Sequence, residues 1–490
     1  MANVVLIHPK AGGDEVFYAP LAMMALAAYI EKDHSVEIID DRLEGDLFAK
    51  LDKSLSSSPE VVGLTALTGG QILRCLKISE YVKKHNPRTS VVWGGVFSTY
   101  FPHMVLENSW VDFVVLNEGE QTLQELLTAL EGSKNYKDIR GLAYKENGKI
   151  TENPRREFLD MDTLPMPAWH LIDVPKYIEK LGLSYNERPL NIATTRGCPF
   201  RCKFCYNTNF NLRTWRKRSP ELVLKEISLL YEKYGINHLV FHDDLFTVDK
   251  KRALRISKMV REKEFKLSWT VTHRANQFDP KFLSELRKMG RLLLRVGAES
   301  GSAEMLNSIY KDITVESMLK AAKVAREAGV DVIYSFVMGW PGETEEHLKE
   351  TIGLMFKLQE VNPDVSFYPL WIYIPYPGTP LYEEALKRGF IPPKTLEDWG
   401  QYSWDRVKIP WIEKVAEKEN MHQLSRIAFS NRKTSEIFRD KKSGGFLKPN
   451  IVLRRMGIIV VRSWARFRFR CGFWFFPYEY RLINSILRRI

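Results

Sequence analysis

Residues 194–207 read TTRGCPFRCKFCYN, and this stretch places Cys198, Cys202 and Cys205 within eight residues. Gly197 and Pro199 predict that the three thiols lie on a loop. Thiolates are soft ligands that suit iron–sulfur clusters. A cubane cluster has four irons, so three cysteines leave one iron free to bind a substrate or a cofactor. The triplet therefore predicts a [4Fe–4S] centre with an open coordination site.

Two other interpretations of the triplet are a zinc site and unmetallated thiols. Structural zinc usually has four protein ligands, commonly in C-x2-C pairs, and no further cysteine or histidine occurs in the dozen residues after Cys205. The chain has five cysteines in all. An odd number with three clustered argues against a disulfide framework and favours metal ligation in a reducing compartment. Cys75, in a predicted helix, is assigned no role.

The composition is that of a folded protein with more than one domain. The 490 residues are 44% apolar and 27% charged, and two or three domains are expected at this length. The opening MANVVLIHPKAGG lacks a basic region, and no apolar run approaches the roughly 20 residues that span a bilayer. A cytoplasmic location is therefore expected.

The positive charge is concentrated near the C-terminus. The net charge is +12, and residues 451–490 contain nine arginines against one acidic residue. The rest of the chain is close to neutral for its size, so the charge indicates little about the substrate.

Two series of alternating strands and helices organise the chain. Such alternation implies parallel strand pairing. The first series predicts a doubly wound parallel sheet, and the second, with six β/α units, predicts a partial (β/α)6 barrel. In both folds, ligands bind at the carboxyl ends of the strands. The predicted strands are 3–7, 36–39, 61–64, 90–93 and 113–116 in the first series, and 191–195, 238–242, 267–272, 292–296, 332–338 and 366–373 in the second.

These patterns divide the α/β chain into four regions. Residues 1–135 form the first domain, and residues 136–185 are a linker punctuated by prolines. Residues 186–385 form the barrel. Residues 386–490 are a small, mainly helical region that is rich in basic and aromatic residues.

Four later segments, taken with the cysteine triplet, resemble the radical S-adenosylmethionine (radical SAM) enzyme family in their order. They read FHDDLF (241–246), RVGAESGS (295–302), FVMGWPGET (336–344) and IPYPGTPLY (374–382). The resemblance implies that S-adenosylmethionine (SAM) chelates the open iron. One electron from the cluster then cleaves SAM to a 5′-deoxyadenosyl radical, which abstracts a hydrogen from the substrate.

The same resemblance implies where SAM is contacted. Phe204 corresponds to the residue whose backbone meets adenine, and Glu299 ends the fourth barrel strand, where the family often contacts ribose. Backbone groups at the next two strand ends line the adenine pocket, at Gly339, Pro341, Gly342, Tyr373 and Pro375.

Four charged residues near the strand ends have two interpretations each. Asp243 and Asp244 end the second barrel strand, either as cofactor contacts or as helix caps and ion-pair partners. Arg274 and Arg295 form either a carboxylate clamp or surface pairs.

The N-terminal region resembles the cobalamin-binding domain found ahead of radical SAM domains. The matching strings are YAPLAMMALAAYIEKDHSVEIIDD (18–41), GLTALTGG (63–70), VVWGGVFS (91–98) and DFVVLNEGEQT (112–122). The double glycine lets the backbone approach the nucleotide tail closely. The cofactor contacts that this resemblance implies are Thr65, Leu67, Gly94, Gly95, Glu118 and Gly119.

One departure concerns the cobalt ligand. Many cobalamin domains carry Asp-x-His-x-x-Gly after the first strand, whereas this chain reads HPKAGGDEVFY at residues 8–18. Cobalt would then lack a protein imidazole, which suits methyl transfer, and His8 is interpreted as a local hydrogen-bonding residue. The departure also leaves open that cobalamin is not bound.

Together the two sets of motifs predict a cobalamin-dependent radical SAM enzyme. It would methylate an unactivated carbon of a small-molecule or lipid-like metabolite through a 5′-deoxyadenosyl radical and methylcobalamin. The first alternative resembles anaerobic magnesium-protoporphyrin ester cyclase and carries out cyclisation, ring contraction or oxidation. The second is a non-catalytic cobalamin or iron–sulfur sensor. A flavodoxin or ferredoxin is the expected electron donor.

The C-terminal segment 451–490 combines arginine with aromatic residues, as in RSWARFRFRCGFWFFPYEY (462–480). One interpretation is peripheral attachment to an anionic membrane surface. A second is a packed lid whose arginines extend to solvent. Contact with nucleic acid is disfavoured.

Overall fold

The five apolar runs of the N-terminal region form the parallel strands of one sheet in a computed structural model. The model describes residues 1–12, 15–132, 135–182, 187–403 and 462–471, with scattered positions between 406 and 429. The strands run parallel, as the sequence predicts, and they pair in the order β2-β1-β3-β4-β5. They are β1 (Asn3–His8), β2 (Ser35–Asp40), β3 (Val61–Thr65), β4 (Ser90–Gly94) and β5 (Phe113–Val115).

Helices cover both faces of this sheet. Val5 and Ile7 of β1 belong to one buried cluster, whereas Val4 and Leu6 belong to another. Because successive side chains of a strand point to opposite faces, this alternation buries the sheet on both sides. The helices are α1 (Leu21–Ile30), α2 (Leu47–Leu55), α3 (Gly70–His85), α4 (Val96–Tyr100), α5 (Pro102–Glu107) and α6 (Glu120–Glu131).

The first sheet continues into the segment that the sequence assigns to a linker. Strands β6 (Leu142–Glu146) and β7 (Lys149–Glu152) pair antiparallel and extend the sheet beyond β5. The two-residue turn between them is Asn147-Gly148, and both residues have positive φ, at 50° and 78°. Asn-Gly is the preferred sequence for this tight hairpin turn. The linker interpretation missed this local signal.

The second series of runs forms a curled parallel sheet in the order β8-β11-β12-β13-β14-β15, with β16 also beside β14. This is the predicted partial barrel. A small antiparallel pair, β9 with β10, flanks it. The strands are β8 (Pro189–Ile192), β9 (Thr195–Arg196), β10 (Arg216–Lys217), β11 (His238–Phe241), β12 (Ser268–His273), β13 (Leu292–Glu299), β14 (Asp331–Met338), β15 (Ser366–Phe367) and β16 (Trp371–Ile372).

Helices pack on the convex side of the barrel. In β13, Leu292, Leu294 and Val296 are buried in the hydrophobic core, and the intervening Arg295 lies on the opposite, concave face. The helices, with α7 ahead of the barrel, are α7 (Val174–Leu181), α8 (Pro220–Tyr234), α9 (Lys250–Glu262), α10 (Pro280–Arg287), α11 (Ala303–Ser308), α12 (Val315–Ala328) and α13 (Glu345–Val361).

The described part of the C-terminal region packs back onto both domains. It contains α14 (Pro380–Lys387), α15 (Leu396–Gly400) and a helix over residues 462–470. Trp399 of α15 lies against Phe97 and Phe101 of the first domain, with ring centroids 5.8 and 5.2 Å away. Most of the segment 451–490 lies outside the described residues. Within the described residues, no helix is both long and apolar enough to cross a membrane.

Candidate active site

The carboxyl ends of the two parallel sheets open onto one cavity of about 790 Å³. Parallel sheets bind ligands at this end because the loops after the strands leave an open crevice there. Both domains contribute to the lining. The first contributes all six of its predicted cofactor residues, Thr65, Leu67, Gly94, Gly95, Glu118 and Gly119, and the barrel contributes Thr195, Arg196, Tyr206, His242 and Asp244, among others.

Two aspartates after β11 hold the cysteine loop. The buried carboxylate of Asp243 accepts hydrogen bonds from Thr194 N at 2.6 Å, Thr194 Oγ1 at 2.7 Å and Thr195 N at 3.1 Å. Asp244 accepts from Gly197 N at 2.9 Å and from the Tyr206 hydroxyl at 2.8 Å. Both carboxylates therefore fix the loop on either side of the thiols, and direct contact of Asp243 with a cofactor stays a prediction.

Gly197 is required where the loop turns towards Cys198. Its φ is +83°, and a Cβ at this position would lie 2.0 Å from the Thr214 carbonyl oxygen. Any side chain would displace the loop from the strand pair β9–β10. This glycine therefore gives the cysteine triplet its position at the mouth of the barrel.

The three thiols lie at the mouth in a largely water-excluded setting. Cys202 is buried, and Cys198 and Cys205 are partly buried. Burial raises the pKa of the Cys198 thiol and raises the pKa of Cys205 to about 12. Thiols of this kind become thiolates when a metal binds, since coordination deprotonates them.

In the described part of the chain, no three His, Cys, Asp or Glu side chains are grouped closely enough to hold a single metal ion. A cubane cluster makes a different demand, because each cysteine ligates a different iron. The loop, with its three thiols and no carboxylate among them, therefore fits an iron–sulfur cluster better than a mononuclear site.

Aromatic rings from three predicted SAM-binding segments meet beside the cysteine loop. The ring of Trp340 lies 5.1 Å from that of Phe204 and 5.0 Å from that of Tyr373. Among the described residues, the buried Trp340 Nε1 and Tyr373 hydroxyl have no hydrogen-bond partner. Unpartnered buried polar groups are uncommon and costly, so this cluster fits a polar, flat ligand such as adenosine.

Some of the backbone groups at the ends of the last strands already form hydrogen bonds within the protein. Gly339 N donates to Glu343 Oε2 at 2.5 Å, and the Gly339 carbonyl accepts from Trp411 Nε1 at 3.1 Å. The Pro375 carbonyl accepts from the Tyr402 hydroxyl at 2.7 Å. Pro341 is buried and Gly342 is exposed, and their contact with SAM stays a prediction.

Glu299 ends β13 with φ of +67°, a left-handed conformation that is uncommon outside glycine. Its buried carboxylate lies 2.8 Å from Lys311 Nζ. Sequence reasoning did not identify Lys311, because it lies in an irregular segment twelve residues further along the chain.

The strand ends of the first domain form a close-packed wall with one exposed apolar side chain. A Cβ on Gly95 would lie 2.8 Å from Thr65 Oγ1 and 2.9 Å from the Ala66 carbonyl oxygen, so the glycine is needed for the packing of the chain itself. Leu67 lines the cavity and is 50% exposed. An exposed leucine in a concave wall fits a large, partly apolar cofactor such as cobalamin.

Glu118, predicted as a cofactor contact, takes part in an ion-pair network that joins the two domains. Its carboxylate accepts hydrogen bonds from both Nη atoms of Arg216, at 2.6 and 2.8 Å, and lies 3.3 Å from Arg196 Nη1. Arg196 also pairs with the buried Glu120 at 2.6 Å. The acidic turn and the arginines are visible in the sequence, but their pairing could not be predicted because it depends on how the two domains pack together.

Two histidines line the cavity from opposite sides. Burial lowers the pKa of both His8 and His242 to about 4, so both rings are neutral near pH 7. The ring of Tyr18 lies 4.0 Å from that of His242. The hydrogen bond expected for the His8 side chain is not found among the described residues. Sequence reasoning did not identify His242.

Comparisons with known proteins agree with this architecture. Residues 192–355 match the family model of the radical SAM superfamily, and residues 14–127 match that of the B12 binding domain. An uncharacterized methyltransferase of Pyrococcus horikoshii is 32% identical over 91% of this chain and 92% of its own length. The anaerobic magnesium-protoporphyrin IX monomethyl ester cyclase of Rubrivivax gelatinosus is 28% identical over 78% of this chain and 70% of its own.

A solved structure gives the same fold. The radical SAM methyltransferase TsrM from Kitasatospora setae superposes with a TM-score of 0.71 at 18% identity, covering 96% of this chain and 98% of that one. The cofactors that the two matched domains imply are a [4Fe–4S] cluster, SAM and cobalamin. The thiols of the cysteine loop, the aromatic cluster beside it and the cavity wall of the first domain fit them in turn. The chain therefore belongs to the family of radical SAM enzymes that carry a B12-binding domain ahead of the radical SAM domain.

Proposed function

We propose that this protein is a cobalamin-dependent methyltransferase that acts on an unactivated carbon of a small-molecule or lipid-like metabolite. The observation that carries this proposal is the cavity between the domains. It is lined by the predicted cobalamin contacts of the first domain and by Thr195, Arg196 and Tyr206, which flank the cysteine triplet. Methyl transfer to carbon by two cofactors requires that both reach one substrate. The 32% identity to the uncharacterized methyltransferase of Pyrococcus horikoshii over 91% of this chain supports the same reaction class.

The residues divide into two sets that would hold the two centres. Cys198, Cys202 and Cys205 would bind the cluster, and Phe204, Glu299 and the strand ends from Gly339 to Pro375 would bind SAM. In the first domain, Thr65, Leu67, Gly94, Gly95 and Gly119 would contact cobalamin. Glu118 would act indirectly, since its carboxylate is engaged by Arg216.

When bound, these cofactors supply a radical that abstracts hydrogen and a methyl group for transfer. The chain contributes a fixed geometry and a largely apolar lining. Asp243 and Asp244 hold the cysteine loop through its backbone and neighbouring hydroxyls. Apolar side chains such as Leu21, Leu26 and Leu123 line much of the cavity, which protects reactive species from solvent.

The proposal is tested by anaerobic reconstitution with iron, sulfide and cobalamin, followed by incubation with SAM and a one-electron reductant. We expect both 5′-deoxyadenosine and S-adenosylhomocysteine. Cys202→Ala should lose the cluster and 5′-deoxyadenosine. Cys471→Ala is the matched control, since that cysteine is exposed and outside the loop, and it should retain both. A loaded wild-type enzyme that makes no S-adenosylhomocysteine would exclude methyl transfer.

The second candidate is a radical cyclase or oxidative enzyme with the same cofactors. The 28% identity to an anaerobic magnesium-protoporphyrin IX monomethyl ester cyclase over 78% of this chain supports this second candidate. The two candidates differ in the fate of SAM. A cyclase would form 5′-deoxyadenosine without stoichiometric S-adenosylhomocysteine.

Peripheral membrane contact through the C-terminal helix is a further part of the proposal. In the helix over residues 462–470, Ala465 and Phe469 are buried, whereas Trp464 and Phe467 are 45% and 55% exposed. Arg466 and Arg470 stack on Phe356 of α13. One face is thus packed, as in a lid, and the other exposes the rings of Trp464 and Phe467. The partly exposed Arg466 and the exposed Arg470 lie between the two faces, and this combination suits an anionic lipid surface.

This contact is tested by sedimentation with vesicles of anionic or neutral lipid. We expect binding to the anionic vesicles only, and loss of that binding in the double variant Trp464→Gln, Phe467→Gln. Equal sedimentation of the variant and the wild-type protein would exclude the contact. A cytoplasmic location and a flavodoxin or ferredoxin as electron donor stay predictions.

A further inference from the structure

Arg274, which follows β12, places a buried guanidinium against the cysteine loop. Its Nη1 lies 3.9 Å from Cys202 Sγ, within the range of a weak N–H···S contact. The guanidinium stacks on the Phe200 ring with its carbon 3.7 Å from the centroid. Its Nη2 donates to the Lys311 carbonyl oxygen. Three contacts therefore fix the orientation of the side chain towards one cysteine.

A second buried cation lies nearby. The Lys311 ammonium lies 5.7 Å from the centroid of the Phe204 ring and pairs with Glu299 at 2.8 Å. The adjacent Asp312 also interacts electrostatically with Arg274, but its negative charge is balanced by Arg201, which is half exposed and forms two 3.0 Å hydrogen bonds with it.

The charges in this buried group do not cancel. Arg274 and Lys311 are two cations, and Glu299 is one anion, which leaves one positive charge. Within the described residues, no carboxylate lies within 4.0 Å of Arg274, and its buried Nε has no hydrogen-bond partner. A buried charge without a counter-ion is costly, so this arrangement indicates that negative charge is supplied from outside the polypeptide.

An iron–sulfur cluster on three thiolates supplies that charge. Reduction by one electron makes such a centre more negative by one unit, so a nearby cation stabilises the reduced form more than the oxidised form. Hydrogen bonds to the sulfurs and local charge are the means by which proteins set cluster potentials.

We propose that Arg274 is a positioning residue that stabilises the reduced cluster through Cys202 and so raises its reduction potential. The proposal rests on the cluster site described under the proposed function. The electron comes from a low-potential flavin or iron–sulfur protein, one electron is gained by the cluster, and no proton or bond is exchanged with Arg274.

The experiment is a potentiometric titration of the reconstituted enzyme without SAM, followed by electron paramagnetic resonance of the reduced cluster. Arg274→Gln removes the charge, and Arg274→Lys keeps it but loses the planar stacking on Phe200. Arg201→Gln is the matched control. It removes a positive charge from the cysteine loop, but from a half-exposed side chain that pairs with Asp312. Iron and sulfide contents are measured for each protein.

We expect the midpoint potential of Arg274→Gln to shift to more negative values at full iron content. Arg274→Lys should shift less, and Arg201→Gln should match the wild type. An unchanged potential in Arg274→Gln overturns the proposal, even if that variant binds SAM more weakly. If Arg274→Gln does not load a cluster, the same comparison is made with Arg274→Met, which also removes the charge, and an unchanged potential in that variant overturns the proposal. A wild-type protein that loads no cluster contradicts the proposed function instead.

Discussion

At the mouth of the barrel, the sequence predicts some functional residues and not others. The cysteine triplet and Glu299 are recognisable because their neighbours in the chain form a pattern. The contact of Arg274 with Cys202 joins residues 72 positions apart, and no local pattern encodes it. The sequence leaves either a cofactor contact or a structural role open for Asp243. Its carboxylate bonds to the loop at Thr194 and Thr195, which no local pattern indicates, and the cofactor contact stays a prediction.

The buried side chain of His273 makes the stability of the fold depend on pH. Its Nδ1 lies 2.6 Å from Thr247 Oγ1, and its buried Nε2 has no partner among the described residues. Burial lowers its pKa to about 3. Since the unfolded chain protonates near pH 6.5, this histidine stabilises the fold fully above that pH, and the stabilisation is lost as the pH falls towards 3.

We therefore expect the free energy of unfolding of the apoprotein to fall with decreasing pH below 6.5, with a contribution from His273 approaching about 1.4 kcal/mol per pH unit. Urea unfolding at pH 5 and pH 7.5 measures this. In His273→Phe the difference between the two pH values should be smaller than in the wild type. An equal difference would show that this ring is not the group that titrates.

Among the secondary-structure elements, regular alternation was predictable and short irregular pieces were not. The strands of both sheets agree with the apolar runs, because buried parallel strands consist of continuous β-branched and aliphatic residues. The β6–β7 hairpin was missed because its charged residues and the prolines that follow it, at Pro154, Pro165 and Pro167, suggested a linker. Its Asn147-Gly148 turn was nevertheless present as a local signal.

The ion pairs between the cysteine loop and the first domain are expected to stabilise the fold. Glu120, at the start of α6, is buried and pairs with Arg196 of β9. Breaking a buried pair leaves an unpaired charge and costs about 3–5 kcal/mol. Because Glu118 also contacts Arg196, we expect Glu120→Gln to lower the free energy of unfolding by an amount at the low end of that range.

The functional consequence is a loss of coupling between the two domains. Glu120→Gln should release more 5′-deoxyadenosine per methyl group transferred than the wild type, because the cysteine loop is no longer held against the first domain. Glu285→Gln is the control, since that exposed carboxylate pairs only with Lys288 among the described residues, and it should change neither quantity. An unchanged product ratio in Glu120→Gln would contradict this coupling.

In the whole molecule, the decisive feature is the way the two sheets face each other. The sequence predicts both domains and the edges at which ligands bind. It does not predict the contacts that join them, such as the two hydrogen bonds between Asn191 and the Ala19 backbone or the 2.7 Å bond from the Tyr177 hydroxyl to Asp40. These contacts link residues more than 130 positions apart, so they follow only from the assembled structure.

The central claim is that a cluster on the cysteine loop and cobalamin in the adjoining cavity lie close enough to act on one substrate. Electron paramagnetic resonance of the enzyme reconstituted with both, with the cluster reduced and cobalt in its +2 state, tests this most directly. We predict a magnetic interaction between the two signals that disappears in Cys202→Ala. Two independent, unperturbed signals from a fully loaded enzyme would contradict the claim, as would an enzyme that binds the cluster but no cobalamin.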